Sequence, residues 1–445
     1  MATIDNAADE SPTGVRWWMF FLACGTSWFL YLHRYSWSII GSEIKTTYNF
    51  TNTQTQTVFS LFYWTYAGGQ IPSGIAIDRF GPHLFLGTSI LLWSLALVGF
   101  GMTRSLTVIG GLRFLFGAAQ AGCYPGLTKA SRVWFPLRGR TTIQGWIATT
   151  SGRCGGAMSP LILGTLLMGV CGLSWQMAIT VMGLAGGVFG LVFLWTFRNS
   201  PAEHPGVNAA ERALISEGET TQTLTGTLPW SRALRNRSLQ FFIVQQFLDA
   251  GSDVAFVSLI GQYFKERHAL EISSSGWLTS LPLWGGALGG IAGGWLNEQL
   301  IRSTGNRRWT RSGIGFVGKV IGCVMLYIVS VQSGPVAAGF ALLFAKFFSD
   351  WSQPTVWGTC TDLGGRCSAT VFSIINTSGT IGGIVMPLVF GYVLDLYTTK
   401  MAVAGVTTSQ TEWGPLFLLL AAMYLASGIT WMLIDCTKSL EVVEP

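Results

Sequence analysis

The chain has 445 residues, of which 49% are hydrophobic and only 11% charged, with a formal net charge of +6. A soluble globular domain carries about 25% charged residues, so this composition excludes one and points to a lipid bilayer as the main solvent. The positive balance is explained by membrane topology, and no nucleic-acid partner is read into it.

A bilayer-crossing helix needs about 20 predominantly apolar residues. Such spans are expected, in chain order, at residues 16–41, 54–77, 82–102, 107–128, 141–170 and 173–197, and then at 239–264, 274–301, 312–331, 334–361, 368–396 and 414–434. The layout predicts an all-α integral membrane protein: a tail over 1–15, a six-helix bundle over 16–197, a linker over 198–237, a second bundle over 238–435 and a tail over 436–445. The linker is polar, carries Pro201, Pro205 and Pro229, and shows a short helical pattern over 208–219. With the N-terminus inside, the external loops keep only Lys45, Arg104, Lys265, Arg267 and Lys400, which is the depletion that a cytoplasmic placement of both termini requires. The first residues are polar and acidic, so no cleavable leader is expected.

Eight cysteines are scattered without a Cys-x-x-Cys pair, and His33, His83, His204 and His268 lie on separate segments. No disulfide framework, metal or cofactor is expected. Neither a Ser-His-Asp grouping nor a Gly-x-Ser-x-Gly turn occurs, so the chain is not expected to be an enzyme.

An internal repeat ties the two bundles together. Residues 150–164 read TSGRCGGAMSPLILG and residues 377–391 read TSGTIGGIVMPLVFG, at a constant offset of 227. Gly74, Asp78 and Arg79 at the end of the second span likewise correspond to Gly293, Asn297 and Glu298 at the end of the eighth, offset by 219. Tight packing explains small residues in membrane helices, but not matched prolines in matched register. Two parallel six-helix repeats with a solute site near the midplane follow as the expected architecture.

Gly74, Asp78, Arg79 and Gly81 form a G-x-x-x-D-R-x-G motif where the second span ends, and are candidate gating residues. The glycines suit a tight turn, while Asp78 and Arg79 can make charge-assisted contacts with neighbouring helix ends. The motif and its surroundings, FYWTYAGGQIPSGIAIDRFGP, resemble the major facilitator superfamily, and within it the anion:cation symporter branch. That branch includes bacterial hexuronate, galactonate and phthalate carriers and the sialic acid and vesicular glutamate carriers of animals. RFLFGAAQAGCYPG, VWFPLRGR, PAEHPGVNAAERALI and GGWLNEQLIRSTGNRRWTR extend the resemblance nearly end to end.

Ionisable residues inside spans cost about 2.5–3.5 kcal/mol each at the bilayer centre on insertion scales, so they mark candidate sites. Arg34, Arg113 and Arg153 fall on the first, fourth and fifth spans, which face the centre in the fold this chain resembles. A guanidinium is a natural carboxylate receptor. The resemblance assigns Arg34, in YLHRYSW, to the substrate anion; Arg113 is as open to snorkelling or a structural pair as to substrate binding. The resemblance also implies that Tyr66, Trp357 and Asn376 face the cavity, with helix packing as the alternative.

Relatives in the branch place an acid just before the first-span arginine and another on the fourth span, where this chain has His33 and Gln120. His33 can titrate near neutrality or serve as an ordinary hydrogen-bonding histidine, whereas Gln120 cannot titrate. Asp249 and Asp253, four apart on the seventh span, are ion-coupling candidates alongside His33, or neutralise the cavity arginines. Lys346 and Asp350 have the spacing of an internal ion pair.

The expected function is alternating-access transport of a small carboxylated solute, a sugar acid among the candidates, by a monomer. A proton or sodium ion is the expected coupling partner; a facilitator, an exchanger or a non-transporting sensor of the same fold are the alternatives.

Overall fold

The computed structural model describes residues 11–136, 140–217, 233, 235–364, 368–403, 406–438 and 440, apart from a few side chains such as that of Asp78. Among the described residues the helices group into twelve spans. Span 1 is α1 (Val15–Tyr35) continued by α2 (Trp37–Tyr48). Spans 2 and 3 run together as α3 (Asn52–Met102), and span 4 is α4 (Leu106–Gln120) with α5 (Cys123–Trp134). Span 5 joins α6 (Arg140–Gly145) and α7 (Gly152–Pro160) through π-helical turns at Trp146–Ser151 and Leu161–Val170; span 6 is α8 (Trp175–Thr196).

The linker holds α9 (Ala209–Ser216), capped by the Asn208 side chain, which accepts from the Glu211 amide. Span 7 is α10 (Arg237–Ser258) with α11 (Ile260–His268), span 8 is α12 (Ile272–Thr304), and span 9 is α13 (Arg307–Val331). Span 10 is α14 (Pro335–Ser349) with α15 (Gln353–Gly364), span 11 is α16 (Ser368–Leu396), and span 12 is α17 (Gly414–Leu433).

Seven spans are apolar enough to cross a membrane on length and composition alone, and α10 with α11, bent by 52°, makes an eighth. Spans 1, 2, 8 and 10 miss that standard because Trp, Tyr, Gly and Ser dilute their apolar content; α1 alone contains Trp17, Trp18 and Trp28. The lipid face is visible on α8, where Leu184, Val188, Leu191 and Trp195 are exposed at helical spacing. Its opposite face buries Gly183, Gly186 and Gly190, which let the neighbouring helices approach closely.

Two features differ from the sequence expectation. Spans 2 and 3 lack a separate loop and meet in a kink at Gly81, whose φ of 79° and ψ of 161° suit glycine only. A Cβ there would lie 2.4 Å from the Asn199 side chain. Between spans 11 and 12 an unanticipated antiparallel hairpin, β1 (Thr398–Val403) and β2 (Val406–Thr411), pairs Thr398 with Thr411 and Val403 with Val406.

The chain forms two compact units that do not coincide with the sequence halves. One takes the chain up to Arg34, Trp64–Ser159 and the stretch from Leu173 onward through α9; the other takes Tyr35–Tyr63, Pro160–Gly172 and the second repeat. Inside each unit the repeat is built by the same packing. Ser151 donates to the Cys24 carbonyl at 2.6 Å, and Ser378 donates to the Ile243 carbonyl at 2.7 Å. A Cβ on Gly155 would lie 2.2 Å from the Trp28 carbonyl oxygen, and one on Gly382 would lie 2.6 Å from that of Phe247. Ser151 and Gly155 map onto Ser378 and Gly382 by the offset of 227, while Cys24 and Trp28 map onto Ile243 and Phe247 by 219. The repeated serine and glycine thus fix the contact of span 5 with span 1 and of span 11 with span 7.

Candidate functional site

In the first unit the chemistry gathers around Arg34, in the last turn of α1. Its Nε donates to Gln120 Oε1 at 3.0 Å, and its guanidinium lies 5.1 Å from the Tyr31 ring centre and 4.8 Å from that of Tyr66, to whose hydroxyl it is also hydrogen-bonded. Gln120 ends α4 and is itself fixed, because its Nε2 donates to the Leu30 carbonyl at 3.2 Å. Tyr124 packs edge-on against Tyr31 and shares a 3.3 Å hydrogen bond with Ser27. The result is a buried guanidinium oriented by an amide and aromatic faces.

The remaining first-unit candidates are placed differently. His33 is fully buried with Nε2 3.0 Å from the Met182 carbonyl, and its ring packs on Phe29, so it faces span 6. Arg113 is buried with its guanidinium 5.5 Å from the Phe116 ring centre. Arg153 is half-buried in α7. Arg79 is exposed and lies over Phe80, Gly74 has open space around it, and the Asp78 side chain is outside the described residues. The end of span 2 is capped from span 4, where Lys129 donates to the Ile77 carbonyl at 3.1 Å.

In the second unit Trp357 is 54% exposed and stacks on Phe372 at 4.3 Å, while Asn376 is exposed and its carbonyl accepts from Thr380. Asp249 and Asp253 both meet lysines. Asp249 is salt-bridged to Lys319 of span 9 and accepts from Gln353 at 3.2 Å; Lys319 also donates to Ser349 at 2.5 Å. Lys346 of span 10 is bonded to Asp253 and to Asp350, each at 2.7 Å.

The two centres occupy matched places in the repeat. The 219 offset of span 1 against span 7 takes Arg34 onto Asp253. Arg34 reaches across to Gln120 of span 4, and Asp253 reaches across to Lys346 of span 10. One scaffold position therefore carries a cation in the first unit and an anion in the second.

Sequence reasoning missed Tyr31, Tyr124 and Lys319 as members of these clusters. Tyr31 was findable, since it precedes Arg34 by one helical turn. Lys319 was not, because 70 residues separate it from Asp249.

Lipid-facing helices enclosing buried, hydrogen-bonded charges define an integral membrane protein of the transporter class. The chain belongs to the Major Facilitator Superfamily, whose pattern matches residues 17–387. It is 29% identical over 384 residues, 86% of each chain, to a probable sulfoacetate transporter, SauU, of Cupriavidus necator. It is 27% identical over 418 residues, 88% of this chain and 91% of the relative, to a probable galactarate/D-glucarate transporter, GudP, of Escherichia coli. In fold it is similar to a bacterial homologue of the human lysosomal transporter Spinster, with a TM-score of 0.73, 15% identity and 94% of both chains covered.

Proposed function

We propose that this chain is a secondary carrier, and not an enzyme, that moves a small organic anion across a bacterial cytoplasmic membrane by alternating access, with both termini in the cytoplasm. Arg34 anchors the acid group of the solute. The observation that carries this reading is the 3.0 Å bond from Arg34 Nε to Gln120, by which a neutral amide fixes the orientation of a buried guanidinium, a natural receptor for an acid group. Tyr31, Tyr66 and Tyr124 border the same point and suit a solute that carries hydroxyl groups. The relatives' names, sulfoacetate and galactarate/D-glucarate transporters, support a small, strongly acidic solute.

Uptake of labelled sulfoacetate, D-glucarate and D-galactonate into proteoliposomes tests the proposal. At least one should accumulate, and Arg34→Ala should reduce its uptake at low concentration by about tenfold or more, the loss of a charge-assisted contact worth roughly 1.5–3 kcal/mol. Uptake by Arg34→Ala equal to wild type removes the anchor, and no uptake of any of the acids removes the solute class.

A further inference from the structure

One cluster of charges in the second unit holds more acids than bases. Asp249, Asp253 and Asp350 bring three carboxylates, and Lys319 and Lys346 bring two ammonium groups, a formal charge of −1. Lys319 and Asp249 are both fully buried and pair one to one. The imbalance therefore falls on Lys346, which stands between Asp253 and Asp350 at 2.7 Å from each. Two carboxylates converging on one cation in a low-dielectric interior do not both keep their charge at low cost. The pair has a place for one proton.

Exposure decides which carboxylate exchanges it. The Asp350 side chain is 3% exposed and Lys346 is 6%, whereas Asp253 is 32% exposed. The groups facing Asp253 are Asp249 on its own helix, Lys319 from span 9, Lys346 and Asp350 from span 10, and Tyr424 from span 12. Other elements packed on span 7 keep their charges occupied. Glu43 and Lys45 of α2 pair with Lys265 and Glu266 of α11, where His268 bonds to Tyr263, and Asp395 of span 11 is held by Asn52 and Thr53.

We propose that Asp253 is the proton-binding site of this carrier, with Lys346 and Asp350 as the positioning groups that fix when the proton is held. The inference rests on the carrier reading above. When the site is open to water, the Asp253 carboxylate accepts a proton from water, the bond from Lys346 to it is released, and Lys346 keeps its own charge and its bond to Asp350. The five groups are then neutral together, so the site can close without trapping an unpaired charge. Opening on the other side returns the proton to water and restores the Lys346 bond. The excess acid thus lies on span 7, in place of a titratable group at Gln120 on span 4.

Two measurements on the full-length protein test this. Infrared difference spectra between high and low pH, in lipid without any organic anion, should show a protonated-carboxyl stretch that is absent in Asp253→Asn and returns, shifted, in Asp253→Glu. Thermal unfolding of each variant confirms that it is folded. A band that persists in Asp253→Asn, or one that vanishes only in Asp350→Asn, overturns the assignment. In proteoliposomes clamped at zero voltage, a gradient of about one pH unit should sustain up to about tenfold accumulation of a monoanionic acid such as D-galactonate at one proton per solute. Asp253→Asn should remove the effect of the gradient. An undiminished gradient response in that variant, or accumulation that follows sodium instead, defeats the proposal. If wild type carries none of the acids tested, the carrier reading fails while the infrared result still reports on the proton site.

Discussion

Lys45 and Glu266 meet at 2.5 Å, and beside them Lys265 is bonded to Glu43, so α2 and α11 exchange two ion pairs in reciprocal directions. Close by in the same unit, Asp395 at the end of span 11 accepts from the backbone amides of Asn52 at 3.0 Å and Thr53 at 2.9 Å, capping the start of α3. Residues 35–63 belong by sequence to the first repeat, and these contacts are what hold them in the unit of the second. Partly exposed pairs contribute about 0.2–1 kcal/mol each, so the two together stabilise the contact by no more than about 2 kcal/mol. Replacing Lys45 and Lys265 together by Ala should raise hydrogen exchange across residues 37–63 about fivefold, with a smaller effect in high salt because the pairs are already screened there. Arg302→Ala, which breaks the exposed Glu298 pair on span 8, serves as the control and should leave that exchange unchanged.

A buried side chain of α9 ties the linker to the start of span 1. Glu211 of α9 accepts from the Val15 amide at 3.1 Å, the Arg16 amide at 3.0 Å, Arg16 Nη1 at 3.3 Å and the Thr13 hydroxyl. Burial pushes the Glu211 carboxyl up, but these hydrogen bonds and the Arg16 charge outweigh it and hold the group below its ordinary value. A depressed carboxyl stabilises the fold fully above its unfolded value of about 4.3, and the contribution is lost as pH falls through the lower folded value. Glu211→Ala should therefore lower thermal stability by about 1–2 kcal/mol at neutral pH, the usual cost of a lost helix cap. The gap from wild type should close as the pH is lowered below about 4, which unfolding curves across pH will show.

How far these features were legible follows from the range of the interactions. Helical spans and the repeat are local patterns, and both could be read, as could the helix in the linker and the Lys346–Asp350 pair one turn apart. Spans 1, 2, 8 and 10 were read as apolar stretches as well, although their Trp, Tyr, Gly and Ser content keeps them below the hydropathy of the other spans. Glu211 with Arg16, Asp395 with Thr53 and Lys319 with Asp249 are separated by long stretches of chain, and no periodicity announces them. The hairpin was missed because six-residue strands rich in Thr and Val carry little weight beside apolar helices, although their β-branched content was a signal.

Lys319 and Asp249 form the most deeply buried ion pair described, and its value lies in being complete. Removing one partner strands a charge in a low-dielectric interior and costs about 3–5 kcal/mol, whereas replacing both by groups of similar volume is often neutral. Lys319→Met and Asp249→Asn alone should each lower the melting temperature in detergent markedly, and the double substitution should recover most of the loss. Additive losses in the double variant would show instead that the two residues act through separate partners, such as Ser349 and Gln353.

Gln120 offers the sharpest test of the proposed anion anchor at Arg34. Its amide oxygen takes the Arg34 Nε proton at 3.0 Å, and Gln120→Glu changes that acceptor into a carboxylate with little change of shape. Arg34 would then face a carboxylate from span 4, and an incoming acid group would have to compete with it. Apparent affinity for whichever acid is carried should fall about tenfold to a hundredfold, the equivalent of roughly 1.5–3 kcal/mol, with a much smaller change in maximal rate. Lowering the pH on both sides of the membrane protonates the introduced carboxylate, frees the guanidinium and should recover affinity in this variant by more than it changes wild type. Gln120→Ala gives the complementary reading: it removes the Arg34 acceptor without adding charge, so loss of orientation alone should cost less affinity than Gln120→Glu does. An equal loss in the two variants would mean that the amide matters for holding Arg34 in place and not for keeping its charge available.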